Sequence, residues 1–265
     1  MSESTPTPAT GAVKPKFDQE ELIKLVKTPD FIRFIGQFIT LISVILYSLT
    51  YIRIGTSWYW IWYQLSLLGV IGSLSVVLLE DIKVKGFNFV SLIKDDNVHY
   101  ALLAGLLLFI RAYVLLTLIP FGIFALFNVL SYTKGYLLPV FGLNNSSPIT
   151  KTVDNIVTNY GPKSAQLISI TEIYTYGWLI IRMITFRKRS LSPVLVYTVF
   201  LKKRFETSHI TRNYFKTLEV QGDKLINQVN HPTVKQIWVQ FKDILRKVGG
   251  IYLVNDYTKE PEKTL

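Results

Sequence analysis

The chain has 265 residues, 49% of them hydrophobic and gathered in long blocks, which places it in the membrane class and excludes an ordinary soluble globule. It contains no cysteine and only three histidines, so disulfide scaffolds, thiolate nucleophiles and cysteine metal sites are excluded. Of its net charge of +11, nine belong to residues 187–247, where thirteen Lys/Arg face four Asp/Glu. A basic segment directly after an apolar one reads as cytosolic and attracted to anionic lipid, which ranks nucleic acid low as a partner.

Residues 1–16 are rich in Ser, Thr and Pro and read as a disordered cytosolic arm without the apolar core of a signal peptide. Asp18, with Glu21 three residues on and Phe17 and Leu22 placed as a staple, caps a short amphipathic helix within 17–30. Thr28-Pro29 caps the next helix. Two apolar runs follow, 31–52 and 58–79, joined by five residues, so they form an antiparallel hairpin; Trp58, Tyr59, Trp60, Trp62 and Tyr63 supply an interface belt. Residues 80–97 are polar with apolar inserts and read as interfacial.

The stretch 94–138 organises the rest. Its section 98–130 holds one charged side chain, Arg111. At about 1.5 Å per residue a helix over it reaches roughly 50 Å, against a hydrocarbon core of about 30 Å. Either it doubles back near Pro120 or it crosses once and continues along the interface. Residues 141–165 read as a loop with sequons at Asn144 and Asn145, and 166–186 is a moderately apolar segment carrying Glu172 and Arg182. Two four-span schemes follow. In one, the central stretch crosses once and 166–186 is the fourth span; in the other, the stretch is a hairpin and everything after it is cytosolic. Both put the two termini in the cytosol, and a five-span chain ranks third.

In the basic tail, 191–200 is an apolar run too short to cross and predicts a helix at the membrane surface. Residues 206–229 are helical in pattern, with an interruption expected at Gly222. The clearest period spans 232–248: Val234, Ile237, Trp238, Phe241, Ile244, Leu245 and Val248 recur at three- and four-residue steps, with Lys235, Lys242, Arg246 and Lys247 on other faces. Aromatic stripe and basic flank together predict a membrane-binding helix, against the plainer reading of a helix packed on its neighbours.

Candidate chemistry is sparse. Asp95, Asp96 and His99 lie on one turn, where helix capping explains the acids more simply than a metal or catalytic site. Arg111 inside an apolar block is costly unless partnered, with Glu172 the obvious acid and Arg182 its competitor. These three intramembrane charges read as a structural pair before a transport path. The chain has no Gly-rich phosphate loop, no H-E-x-x-H and no G-x-S-x-G. No enzyme activity and no cofactor are expected.

D-D-N-V-H-Y at 95–100, I-P-F-G-I-F-A-L-F-N-V-L-S-Y-T-K at 119–134, T-E-I-Y at 171–174 and residues 197–205 resemble the transmembrane protein 33 family, also called the Krüppel homologue 2 family. The resemblance covers about 31–248, and its most specific parts are S-Y-T-K and D-D-x-x-H-Y. It implies a non-enzymatic multispan protein of the endoplasmic reticulum and nuclear envelope, fungal relatives at nuclear pores, a targeting role for the C-terminal helix, and nucleoporins, reticulon-type proteins and a nuclear import receptor as partners. The expected fold is all-α: a polytopic helical membrane protein of about four embedded helices in hairpins. Its divisions are the arm 1–16, the short helix 17–30, the transmembrane region 31–186, the basic tail 187–248 with its amphipathic helix 232–248, and an extension 249–265. The expected function is organising membrane and pore complexes; the alternative is an ion channel or small-solute transporter using the intramembrane charges.

Overall fold

Capping chemistry starts the first two helices. In the computed structural model, which describes residues 17–143, 147–187, 189–229 and 231–254, the Asp18 carboxylate accepts from the Glu21 amide and opens α1 (Gln19–Val26). Thr28 does the same for the Phe31 amide at the head of α2 (Pro29–Thr50), with Pro29 in its first turn. The arm 1–16, both sequon asparagines and residues 255–265 lie outside the described residues.

Small and polar side chains then decide how α2 meets α3 (Tyr59–Lys85). Gly36 and Gly69 touch backbone to backbone; a Cβ on Gly69 would stand 2.6 Å from the Thr40 hydroxyl and 2.7 Å from the Gly36 carbonyl. Thr40 Oγ1 donates to the Ser66 carbonyl at 3.2 Å, and the Gln37 amide donates to Ser73 Oγ. Lipid tails supply no hydrophobic drive between helices, so close approach and interhelical hydrogen bonds hold such a hairpin. Trp58, Tyr59 and Trp60 of the aromatic belt face outward, whereas Tyr63 turns into the core and reaches Thr117 at 3.2 Å.

A short exposed helix, α4 (Phe89–Lys94), returns the chain to the bundle, and the length problem of the central stretch is solved by doubling back. α5 (Asp96–Ile110) ends where Arg111 turns into the left-handed region, φ 55°, and α6 (Ile119–Tyr132) starts after a single 3₁₀ turn. The break therefore falls at 111–118, not at Pro120. Proline sits in the first turn of α6, where its missing N–H has no intrahelical partner to lose. Gly122 lies against Val44 and Tyr132 stacks on Phe34 at 4.6 Å, so α6 runs antiparallel to α2. A π turn over Thr133–Leu137, which the S-Y-T-K patch straddles, carries α6 into α7 (Leu138–Val140). There the Asp18 amide bonds the Val140 carbonyl at 3.0 Å and fastens α1 to the bundle.

Three further expectations change. Residues from Pro148 onward are not a loop: α8 runs Pro148–Ile184 with Pro162 inside it, and Lys134 of the π turn pairs with Asp154, so packing on α6 sustains a helix that polar composition alone does not suggest. Next, α9 (Leu191–Thr207) is not a surface helix. Val194, Tyr197, Phe200 and Leu201 are buried, the first three of them in the main core with Leu103, Leu107 and Leu179, because α5 and α8 offer its short apolar face a packed partner. Finally, α10 (His209–Gln228) passes Gly222 without interruption, and the glycine serves instead as a seat for a ring from α11 (Pro232–Gly249).

The fold is an all-α polytopic membrane protein, with no strand among the described residues. Four helical stretches, Pro29–Thr50, Thr56–Lys85, Ile119–Val140 and Pro148–Ile184, are long and apolar enough to cross a membrane, and α5 is a shorter apolar helix. Successive antiparallel packing brings the start of α2, the end of α3, the start of α5 and the ends of α7 and α9 to one end of the bundle.

Candidate functional site: an ion cluster and the tail helix

At that end, the caps of α5 place the charges. Asp95 accepts from the Asn97 amide at 2.6 Å, and His99 Nδ1 contacts the Asp95 carbonyl at 2.7 Å, so both serve the helix start. Asp96, one residue on, points to α9. Its carboxylate receives Lys203 Nζ on one oxygen and Arg204 Nη1 at 2.7 Å on the other, with Thr207 Oγ1 at 3.3 Å. Arg204 also reaches Glu172 of α8 through Nε at 3.5 Å, and the Tyr100 hydroxyl donates to the other Glu172 oxygen. Glu172 is fully buried and Lys203 is 2% exposed. Two acids and two cations thus tie α5, α8 and α9 together, each charge meeting an opposite one.

The structure separates the three intramembrane charges that spacing had grouped. Glu172 takes Arg204 rather than Arg111. Arg182 Nε donates to Ser190 Oγ at 3.3 Å, across the α8–α9 turn. Arg111 is exposed in the α5–α6 turn and makes no ion pair among the described residues. Among those residues no group of three or more His, Cys, Asp or Glu converges to hold a metal. Sequence reasoning missed Asp96, Lys203 and Arg204 as one unit. The available signal was an acid at the mouth of an apolar helix and a basic triplet closing an apolar run.

From α9 the chain enters a helix pair held by a second set of ions. The Trp238 ring lies on Gly222, where a Cβ would come within 2.5 Å of it, and its indole N–H donates to Asp223 at 2.6 Å. Lys242 bonds the same carboxylate at 2.7 Å, and Arg246 pairs with Glu219 at 3.0 Å. The Lys242 and Trp238 bonds hold the Asp223 carboxyl below the usual carboxylate range. One face of α11 is therefore committed to α10: Val234, Trp238 and Lys242 are half-buried there. Ile237, Phe241, Ile244, Leu245 and Val248 are exposed, as are Lys235 and Lys247. The chain beyond α11 is returned to α9. Buried Glu206 accepts from the Leu253 and Val254 amides at 2.8 and 2.7 Å, and Lys202 bridges it at 3.2 Å while bonding the Gly249 carbonyl at 2.9 Å. The tail helix is fastened from its middle onto α10 and held again just beyond its C-terminal end, with an apolar stripe left outward.

Residues 15–249 match the family described as transmembrane protein 33/nucleoporin POM33. Among similar proteins, "Tetra-spanning protein 1" of Schizosaccharomyces pombe is 31% identical over 265 residues, covering 92% of this chain and 91% of that one. "Nucleoporin POM33" of Chaetomium thermophilum is 27% identical, covering 90% and 92%. "Pore membrane protein of 33 kDa" of Saccharomyces cerevisiae is 28% identical, covering 81% and 80%. No solved structure matches the chain.

Proposed function

The chain belongs to the transmembrane protein 33/nucleoporin POM33 family, and from that membership we propose that it organises endoplasmic reticulum and nuclear-envelope membrane and contributes to the distribution or assembly of nuclear pore complexes. The printed names of two relatives, a nucleoporin and a pore membrane protein, support the pore setting. The name of a third, a tetra-spanning protein, agrees with four helical stretches of crossing length. In this reading both termini are cytosolic, because the segments leading into α2 and out of α9 share one end of the bundle and the basic tail belongs on the cytosolic side.

The observation that carries the reading is the outward stripe of α11. Ile237, Phe241, Ile244 and Val248 stand on one face of a helix whose neighbouring face, with Trp238 and Lys242, is fixed to α10, so an apolar surface is presented in a set direction with Lys247 at its edge. Such a helix lies at an anionic membrane surface with its apolar face among the headgroups. At the same end of the bundle Phe87, just before α4, and Phe89 and Val90 in its first turn are also exposed. Two interfacial helices at one end load one leaflet more than the other, which is a physical basis for shaping membrane. The charges of the transport alternative support it less: Glu172 is sealed between Tyr100 and Arg204, and Arg182 is bonded across a turn.

The test is a tagged chain carrying Phe241→Asp and Ile244→Asp, followed by microscopy. Both residues are solvent-facing, so the fold is expected to survive. Burying such a side chain contributes about 1.5–3 kcal/mol, so two charges in the stripe should release the tail from the membrane surface and disperse nuclear-rim puncta into the reticulum. Unchanged rim puncta would remove the targeting role from α11.

A further inference from the structure

The opposite end of the bundle, far from the tail, holds an open cleft of about 760 Å³ at the C-terminal end of α5. One wall is the α5 face made by Gly105, Leu108 and Phe109, and Phe109 is 87% exposed. The other edges are two turns: Arg111 and Tyr113 from the α5–α6 connection, and Arg189 from the α8–α9 connection. Among the described residues the lining contains two guanidinium groups and no carboxylate.

Backbone conformation marks the same place. Five non-glycine residues among those described have positive φ, and four stand in these two turns: Arg111 at 55°, Tyr113 at 49°, Phe186 at 51° and Arg189 at 58°. Side chains with a Cβ rarely adopt this region, and such conformations persist where the surroundings over-determine them, commonly at binding sites. Here they turn two arginines toward one cleft. Phe186, 94% exposed, stands beside them in the α8–α9 turn.

The membrane supplies the rest of the argument. α5 has fifteen residues and so reaches about 22 Å, short of the roughly 30 Å hydrocarbon core its neighbours can cross. A helix that starts at the tail-side interface therefore ends roughly 8 Å short of the far headgroups, a gap within reach of a long arginine side chain, with the apolar α5 face on the membrane side of the cleft. Guanidinium groups bind phosphate oxygens through paired N–H donors, and a +2 lining without an acid favours a ligand with net negative charge. The volume falls within the range of small-ligand pockets.

We infer that this cleft binds an acidic phospholipid of the leaflet opposite the tail, with Arg111 and Arg189 shared between its phosphate and the second negative group of its headgroup and the Gly105–Phe109 face of α5 along an acyl chain. The site is independent of α11 and of the tail's membrane contact. It gives the protein a lipid held within the bundle, joining the α5–α6 and α8–α9 turns across a gap that no described ion pair spans.

The test uses the full chain purified in mild detergent, exposed to equal amounts of phosphatidylserine and phosphatidylcholine, with bound lipid counted by native mass spectrometry. One phosphatidylserine should be retained in preference to phosphatidylcholine by about tenfold, the scale of one charge-assisted pair. Excess glycerol phosphate should not displace it, since a free phosphate lacks the acyl contact. Arg111→Gln with Arg189→Gln should bring the ratio near one. Arg53→Gln, at the same end but outside the cleft, and deletion of residues after Val229 should leave the ratio unchanged. If the double Gln variant does not fold, the Arg111→Lys with Arg189→Lys pair keeps the charge but loses the forked donors and should lower the ratio severalfold. Equal retention of the two lipids by the wild type, an unchanged ratio in the Gln or Lys pair, or loss of the preference on tail deletion would overturn the site.

Discussion

The bundle and the tail are each held by a carboxylate that binds two partners, and they differ in what surrounds it. Asp96 receives Lys203 and Arg204, with Arg204 continuing to buried Glu172; Asp223 receives Lys242 and Trp238, with Arg246 on Glu219 beside it. In the first cluster the cations are nearly inaccessible. The two carboxylates themselves are alike, 45% exposed at Asp96 and 40% at Asp223, so the difference lies in the partners: Lys203 and Arg204 are 2% and 9% exposed at the side chain, Lys242 and Arg246 19% and 68%. The same pairing chemistry thus makes a buried lock in one region and a solvent-exposed fastening in the other. Removing one member of a buried set strands its partner in low dielectric, whereas exposed pairs contribute at most about 1 kcal/mol and are screened by salt.

The sharpest way to break this contrast is Glu172→Ala. It leaves buried Arg204 with Asp96 alone and the Tyr100 hydroxyl without an acceptor, and should cost about 3 kcal/mol. Size-exclusion profiles of detergent-extracted protein should show loss of the monodisperse peak, while Glu219→Ala at the tail should leave it unchanged. A wild-type profile for Glu172→Ala would dissolve the distinction.

Gly69→Ala tests whether the bundle depends as much on close backbone approach as on ions. The new methyl meets the Gly36 carbonyl at 2.7 Å, a backbone atom that cannot swing aside. Overpacking of this kind costs about 1–3 kcal/mol and should lower the midpoint of thermal aggregation by several degrees. The tail should not respond, as read by exchange protection of α11.

The smallest effect is expected from acid on the tail. The Asp223 carboxyl titrates below its ordinary value of about 3.9, so its bond to Lys242 and Trp238 is fully present above that pH and is lost as pH falls through the lower, folded-state value. The protection of α11 amides, taken relative to their intrinsic exchange at each pH, should therefore fall only in the strongly acidic range. A loss of protection near pH 6 would point to another group as the fastener.

Much of the local structure was legible because it depends on neighbours in sequence. Asp18, Thr28-Pro29 and Asp95 announce helix starts through hydrogen bonds two or three residues away. The hairpin of α2 and α3 follows from two apolar runs and a short turn. The stripe of α11 follows from its period. Legibility stopped where the deciding partner was distant. Pro120 looked like the break because proline is the visible helix breaker, yet Arg111 ends α5 in a turn shaped by packing on α3 and α8. Residues 148–165 looked like a loop because their polarity hides one face packed on α6.

The sequence by itself determined the class of this protein: an all-α membrane chain with crossing helices, a basic tail and an amphipathic end, since hydropathy, charge bias and period are sums over local residues. The tertiary structure alone decided which charges meet. Asp96 and Arg204 are 108 positions apart, and Arg111 and Arg189 come to one cleft from two separate turns. Pairing at that separation depends on how helices pack, because a low-dielectric interior accepts a charge only where the fold brings its partner, and no spacing along the chain records that meeting.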